Sequence, residues 1–224
     1  MGFDWLKQTT PAPAQQAGFG WLDNPATLEA PGTIEGPLLF RRKVRHRRTL
    51  AAIRQEKLEA FFTELPAPGE SIHIVSNGSF DYWNFVPVCL RLLGKPATEF
   101  YGSTWTMSRP NALQLLQLLD DGKIQKATLF SGLYFKRRES AVYATVASGL
   151  IDRKQRFLCF ENHSKIILLA AGDERIVIEG SANFTANPRV EQNTVTNDRD
   201  LYDFHRSWME IQLARCQKRK TTKI

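Results

Sequence analysis

Two apolar runs separated by a four-residue turn constrain this chain more than any other feature. Lys165–Ala170 reads K-I-I-L-L-A, Arg175–Glu179 reads R-I-V-I-E, and Ala171-Gly172-Asp173-Glu174 stands between them. Short aliphatic, β-branched runs around a Gly-Asp turn signal a β-hairpin. With the turn centred between Gly172 and Asp173, paired residues have numbers that sum to 345, so Lys165 faces Gly180 and His163 faces Ala182. The phrases His163-Ser164-Lys165 and Gly180-Ser181-Ala182-Asn183 then meet at one sheet edge. A register slip of one or two residues does not separate them.

That edge gathers an imidazole, an ammonium, a carboxamide and a hydroxyl. His163 is suited to nucleophilic attack or to carrying a proton. Lys165 supplies a positive charge and Asn183 an amide donor, both fitted to the equatorial oxygens of a phosphoryl group. Ser181 and the backbone around Gly180 add donors. Glu191, just downstream, can orient and charge-stabilise the imidazole, the part a carboxylate plays in catalytic triads. The sequence lacks a dense carboxylate cluster, which disfavours a two-metal mechanism. Cys89, Cys159 and Cys216 are scattered and form no C-x-x-C pair, which argues against a disulfide framework or a Cys-rich zinc site. Neither a metal nor another cofactor is expected.

A lone His-x-Lys is usually a surface pair. Followed by Ile166–Leu169, then Gly180-Ser181-Ala182-Asn183-Phe184-Thr185, then Glu191-Gln192-Asn193, it resembles the phospholipase D superfamily, and most closely the small bacterial nucleases with a single motif. The motif spans about 30 residues, and the strand–helix order agrees over roughly 71–197. The family pattern H-x-K-x-x-x-x-D expects Asp at position 170, where this chain has Ala170. The resemblance implies a metal-independent reaction using two such motifs around one phosphodiester. One His attacks phosphorus to form a phosphohistidine, and the other protonates the leaving oxygen and then activates water. His46, His73 and His205 have Arg48, Val75 and Ser207 two positions on. A homodimer is therefore expected, each subunit giving one His163, Lys165 and Asn183.

Upstream of the hairpin the chain alternates strand and helix. Strands are expected at Ile72–Ser76, Ala97–Tyr101, Ala127–Ser131 and Arg156–Phe160. Helices are expected at Ser79–Leu93, where Pro87 introduces a kink, and at Arg109–Asp121, Glu139–Leu150 and, last, Asp200–Arg215. The expectation is a layered α/β/α sandwich with a mixed, mostly parallel sheet, phospholipase D-like. The domain reading is an N-terminal arm at 1–40, a basic helical segment at 41–70, a catalytic domain at 71–214 and a basic tail at 215–224.

Charge is segregated. The net charge is +7, yet Arg41, Arg42, Lys43, Arg45, Arg47 and Arg48 fall within eight residues, and Arg215, Lys218, Arg219, Lys220 and Lys223 crowd the last ten. The remainder is net acidic. Two short cationic segments suit a polyanion, because each cation near a phosphate releases condensed counterions. Arg41, Arg42, Lys43, Arg45, Arg47, Arg48, Lys218, Arg219 and Lys220 are the expected nucleic-acid contacts. Gly2-Phe3-Asp4-Trp5-Leu6 and Gly18-Phe19-Gly20-Trp21-Leu22 repeat one phrase around a Pro/Ala/Gln-rich linker, which suits docking of an aromatic arm on a protein partner. The longest aliphatic run is six residues, too short for a membrane span, and the first residues lack the order of a secretion signal. A cytoplasmic protein without a membrane partner is expected.

The leading expectation is a phosphodiesterase cleaving nucleic acid, DNA in the first place. The alternative is a nucleic-acid-binding protein on the same fold that has lost catalysis, with Ala170 as its sign. A lipid phosphodiesterase is the third reading, and no anchor or large apolar helix near the motif supports it.

Overall fold

The computed structural model describes the backbone of residues 38–43, 46–49, 58–78, 80–185 and 189–221, and the side chains of that set from 58 to 216. The strands are β1 (Leu38–Lys43), β2 (His46–Thr49), β3 (Ser71–Ser76), β4 (Glu99–Thr104), β5 (Ala127–Gly132), β6 (Arg156–Phe160), β7 (Ile166–Ala171), β8 (Glu174–Gly180) and β9 (Glu191–Asn197). The helices described are α1 (Leu58–Phe61), α2 (Phe85–Leu93), α3 (Arg109–Asp120), α4 (Leu133–Arg138), α5 (Ser140–Asp152) and α6 (Arg199–Thr221), with a 3₁₀ turn at Tyr82–Asn84. Among the described residues one sheet forms, in the order β2-β1-β3-β9-β8-β7-β4-β5-β6.

The sheet is mixed, but it is mostly antiparallel, not mostly parallel as the strand–helix alternation suggested. Only β4–β5 and β5–β6 pair in parallel. The strands β3, β4, β5 and β6 do run in one direction. The antiparallel meander β7–β8–β9 is inserted between β3 and β4 and converts the interior pairings. Local patterning carries the succession of elements along the chain and not the lateral order of the strands.

The hairpin pairs as its turn requires. Ile166 faces Glu179 and Ile167 faces Ile178, with Gly172 at the turn in a left-handed conformation, φ +57°. All six residues of β7 are buried, and the strand serves two cores. Ile167 and Leu169 join Phe100, Ile176, Ile178 and Val195 beneath α2, α3 and α5. Ile166, Leu168 and Ala170 join Tyr101, Phe130 and Val177 beneath Tyr202, Met209 and Leu213 of α6. This is the α/β/α layering, and each buried aliphatic side chain contributes about 1.5–3 kcal/mol of transfer free energy.

Local signals explain the helix ends. Ser108 caps α3 by accepting from the Asn111 amide at 3.4 Å, with Pro110 in the first turn. Pro87 falls in the first turn of α2, where no carbonyl partner is needed, so the break comes before the helix as the 3₁₀ turn at Tyr82–Asn84.

The expected basic helix at 41–70 is not what forms over its first residues. Arg41 pairs with Arg48, Arg42 with Arg47 and Lys43 with His46 across a β-hairpin, and among the described residues further on in this segment the short α1 is the one helix. The alternation of basic residues around Val44 fits a strand as well as a helix, and pairing of β1 with β3 decides it. The expected basic tail is, through Thr221, the end of α6. The aromatic arm's repeats and Arg45 lie outside the described residues, as do the side chains of Lys218, Arg219 and Lys220.

Candidate active site

The carboxyl ends of β3, β4, β5, β6 and β8 and the amino ends of β7 and β9 share one edge of the sheet. Loops beyond such an edge are where open α/β sheets bind ligands. His163 and Lys165 lead into β7, Ser181 and Asn183 follow β8, and Glu191 opens β9. The structure brings all five to this edge.

Lys165 lies half-buried, and its Nζ donates to the His163 carbonyl at 2.6 Å and sits 3.1 Å from His163 Nδ1. Burial pulls the Lys165 pKa below the ordinary lysine value, and the negative charge of Glu191 works against that shift. Ser181 donates to the Glu191 carboxylate and accepts from the Gln192 amide at 3.2 Å. Asn183 accepts through Oδ1 from the Trp105 amide at 3.3 Å, an arrangement that directs its amide nitrogen away from that contact.

A ring of hydrogen bonds fixes the loop that carries His163. Asn162 Nδ2 donates to Ser103 Oγ (2.9 Å) and to the Thr104 carbonyl (3.2 Å). Ser164 donates to Asn162 Oδ1 through its hydroxyl (2.8 Å) and its amide (3.1 Å). The Ser103 and Ser164 hydroxyls lie 2.6 Å apart. With Ser164 donating to Asn162, the Ser103 hydroxyl donates to Ser164 and the ring closes. Asn162 and Ser103 are buried, so His163 stands exposed on a rigid support.

Gly180 and Tyr82 set the spacing between strands. A Cβ at Gly180 would lie 2.5 Å from Asn193 Oδ1 and 2.7 Å from the Tyr82 ring. Tyr82 is fully buried and donates to the Ile178 carbonyl at 2.7 Å. Burial, with the charge of Glu179, holds its phenol well above the ordinary tyrosine pKa. Asn193 Oδ1 is itself buried without a hydrogen-bond partner.

Sequence reasoning missed the aromatic flank. Trp105, the residue after β4, stacks on Tyr134 of α4 with ring centroids 4.0 Å apart and planes 19° apart. Its ring also meets His163 edge-on at 5.4 Å. The phrase Leu133-Tyr134-Phe135-Lys136-Arg137-Arg138 after the β5 strand was the available signal. By contrast Arg41 and Arg42 pair with Ile72 and Ser71, at the opposite end of β3 from Ser76, which pairs with Glu191. The expected basic contacts of β1 are thus remote from His163 along the strand. Ala170 is remote too, five residues down β7 from Lys165, or about 17 Å of strand, and buried against the α6 core.

His73 and His205 take structural places. His73 Nδ1 lies 3.2 Å from the Thr194 hydroxyl. His205 is buried, with Trp208 Nε1 donating to its Nδ1 (3.1 Å) and its Nε2 therefore donating to Glu179 (3.2 Å). That bond lowers the Glu179 pKa against the effect of burial. Among the described residues no group of three or more His, Cys, Asp or Glu converges as metal ligands would. Two open clefts, of about 530 and 500 Å³, lie at the other end of the sheet around Glu99, Lys126 and Arg206.

No family model matches the chain, and no curated protein matches it in sequence. Over 62% of its length the chain is similar to a polyphosphate kinase from Porphyromonas gingivalis, at 14% identity and a TM-score of 0.47, and covers 25% of that protein. Over 64% of its length it is similar to TrmBL2, an archaeal chromatin protein described as having a novel mode of DNA binding, at 10% identity and a TM-score of 0.41, and covers 52% of it. No described helix is long and apolar enough to cross a membrane.

Proposed function

We propose that the protein is a metal-independent phosphodiesterase of the phospholipase D type that cleaves nucleic acid, with His163 as nucleophile at a site completed by a second copy of the chain. The observation that carries this reading is the Lys165 ammonium 3.1 Å from the His163 ring, on an edge that also holds Ser181, Asn183 and Glu191. The basic ribbon β1–β2 supports the substrate class. Its backbone register pairs Arg41 with Arg48 and Arg42 with Arg47, which gathers four cationic residues on one short ribbon, a composition suited to a polyanion.

Attack by Nε2 needs its lone pair free, which puts the ring proton on Nδ1. An ammonium donating to Nδ1 competes with that tautomer. Phosphate binding draws Lys165 to a phosphoryl oxygen and resolves the competition, and a carboxylate, with Glu191 the candidate, takes the Nδ1 proton as a hydrogen bond. Nε2 then forms the nitrogen–phosphorus bond as the phosphorus–oxygen bond to the leaving group breaks. The leaving oxygen takes a proton from the second copy's His163. Water attacks phosphorus next and gives its proton back to that second imidazole. The nitrogen–phosphorus bond breaks and His163 is restored. Lys165, Asn183 and Ser181 hold the charge that builds on the equatorial oxygens.

The test is cleavage of plasmid and single-stranded DNA in EDTA, with His163→Ala alongside. Cutting that persists in EDTA and vanishes in the variant supports the reading. Salt-sensitive binding by both proteins without cutting overturns it in favour of a binding protein on this fold.

A further inference from the structure

We propose that the Trp105–Tyr134 stack and the adjoining Lys136, Arg137 and Arg138 form a base-stacking subsite, which makes single-stranded nucleic acid the substrate of the edge that carries His163. The inference rests on the phosphodiesterase reading above and names the form of its substrate.

Three flat groups stand in succession beside the candidate nucleophile. The Arg138 guanidinium lies 5.4 Å from the Tyr134 ring centre. Tyr134 stacks on Trp105 at 4.0 Å. Trp105 meets the His163 ring at 5.4 Å and 61°. Both stacked aromatics are half-buried and Lys136, Arg137 and Arg138 are exposed. Trp105 is held firmly. Its carbonyl accepts from the Gly132 amide at 3.3 Å, and its amide donates to Asn183. A Cβ at Gly132 would lie 2.5 Å from Trp105 Cδ1, so the indole rests directly on the end of β5.

An indole and a phenol kept partly open at a sheet edge expose apolar area that a ligand with a flat face would cover. Nucleobases have such faces, and aromatic platforms bind them with little regard to sequence. The Arg138 guanidinium occupies the place that a base would take, being flat and held on the ring by its charge. A base entering there releases Arg138 to a phosphate oxygen, and Lys136 and Arg137 extend the cationic side, with Glu139 next in sequence the only acidic residue of the turn. A base on the Tyr134 face is separated from His163 by the Tyr134 and Trp105 rings, so it belongs to a nucleotide near the phosphate under attack and not to the attacked linkage itself. In a duplex both faces of each base are already covered by neighbours. The platform therefore selects strands whose bases are unstacked.

Binding of the full chain to labelled oligothymidylate, to oligouridylate and to an abasic phosphodiester strand of equal length, in EDTA, tests the proposal. Expected is a preference of about tenfold for base-bearing strands over the abasic one. Trp105→Ala and Tyr134→Leu should each erase that preference, and Trp105→Phe should retain most of it. Equal affinity of the wild type for base-bearing and abasic strands overturns the proposal. So does a Trp105→Ala or Tyr134→Leu variant that melts like the wild type and keeps the preference. The thymidylate and uridylate arms separate a DNA from an RNA source. Hydrolysis of bis(p-nitrophenyl) phosphate by the wild type, which needs no base, reads the phosphodiesterase separately. Turnover of that ester without base preference sinks the subsite alone, and base preference without any turnover sinks the phosphodiesterase alone.

Discussion

Lys165 Nζ reaches both Nδ1 and the backbone carbonyl of His163, at 3.1 and 2.6 Å, so the cation and the imidazole share one hydrogen-bonding centre. Burial lowers the lysine pKa, with Glu191 opposing. A lysine with a lowered pKa loses its charge earlier on the alkaline side. Its charged form costs stability below the folded pKa, and that cost fades as pH rises through it. The rate of cleavage should therefore decline at a pH below that of an ordinary lysine. Lys165→Arg, which stays charged, should give a slower enzyme without that alkaline decline. A pH–rate profile of the two proteins from pH 6 to 11 reads the difference, and identical alkaline limbs refute it.

Gly180 is where the site and the core meet. A methyl group there collides with Asn193 Oδ1 and the buried Tyr82 ring, neither of which is a free-swinging chain end. Gly180→Ala should destabilise the fold by about 1–3 kcal/mol, the usual cost of overpacking. It should lower kcat more than it raises KM, since it displaces Ser181 relative to Lys165. Urea unfolding with steady-state kinetics on the same samples measures both.

The hairpin was legible because two short apolar runs flank a Gly-Asp turn, and the turn, not the uniformly apolar β7, sets the register. The site followed, because register alone brings residue 165 beside residue 180. Sheet order was not legible. Insertion of β7–β8–β9 between β3 and β4 depends on packing across the whole sheet, and the alternation of strands and helices carries no sign of it. The polar strand β9 was missed because Thr194, Val195 and Thr196 alternate only weakly among Gln and Asn. The platform at Trp105 was missed because a single tryptophan between a strand and a helix has no periodicity to reveal it.

Ala170 stands where the resemblance expects an aspartate, yet it lies at the far end of β7 from the chemistry. Its cross-strand neighbours are Glu99 and Arg175, and Arg175 is already engaged with the Gly172 and Glu174 carbonyls. Ala170→Asp should therefore leave the rate per folded molecule unchanged. It should destabilise the fold by no more than about 1 kcal/mol, because Ala170 lines the open cleft at that end of the sheet, where Lys126, Arg175, Arg199 and Arg206 offset a carboxylate placed beside Glu99. A rate gain of tenfold or more would show that the aspartate matters to catalysis and would place Ala170 among the causes of a weak enzyme.

Glu179 and His205 tie α6 to the strand that ends at Gly180. The hydrogen bond from His205 lowers the Glu179 pKa. A carboxylate with a depressed folded pKa stabilises the fold above its unfolded value, about 4.3. That contribution is lost as pH falls through the lower folded value. The side chain of Glu179 is 45% exposed, so solvent screening keeps the effect below about 1 kcal/mol. Glu179→Gln should melt lower than the wild type at pH 6, with the gap closing towards pH 3. A gap independent of pH would assign the loss to packing and not to charge.

A shared site makes a quantitative demand on mixed dimers. Wild-type and His163→Ala chains, unfolded together in equal amounts and refolded, pair at random. If every site needs His163 from both copies, only wild-type pairs work, and activity falls to about a quarter of that of the same amount of wild type. If each subunit works alone, about half remains. Differently tagged chains allow the mixed species to be purified and assayed directly. An inactive mixed dimer supports the two-histidine mechanism. A mixed dimer with half the wild-type rate means one His163 suffices, and the leaving oxygen must then take its proton from another group on the same subunit.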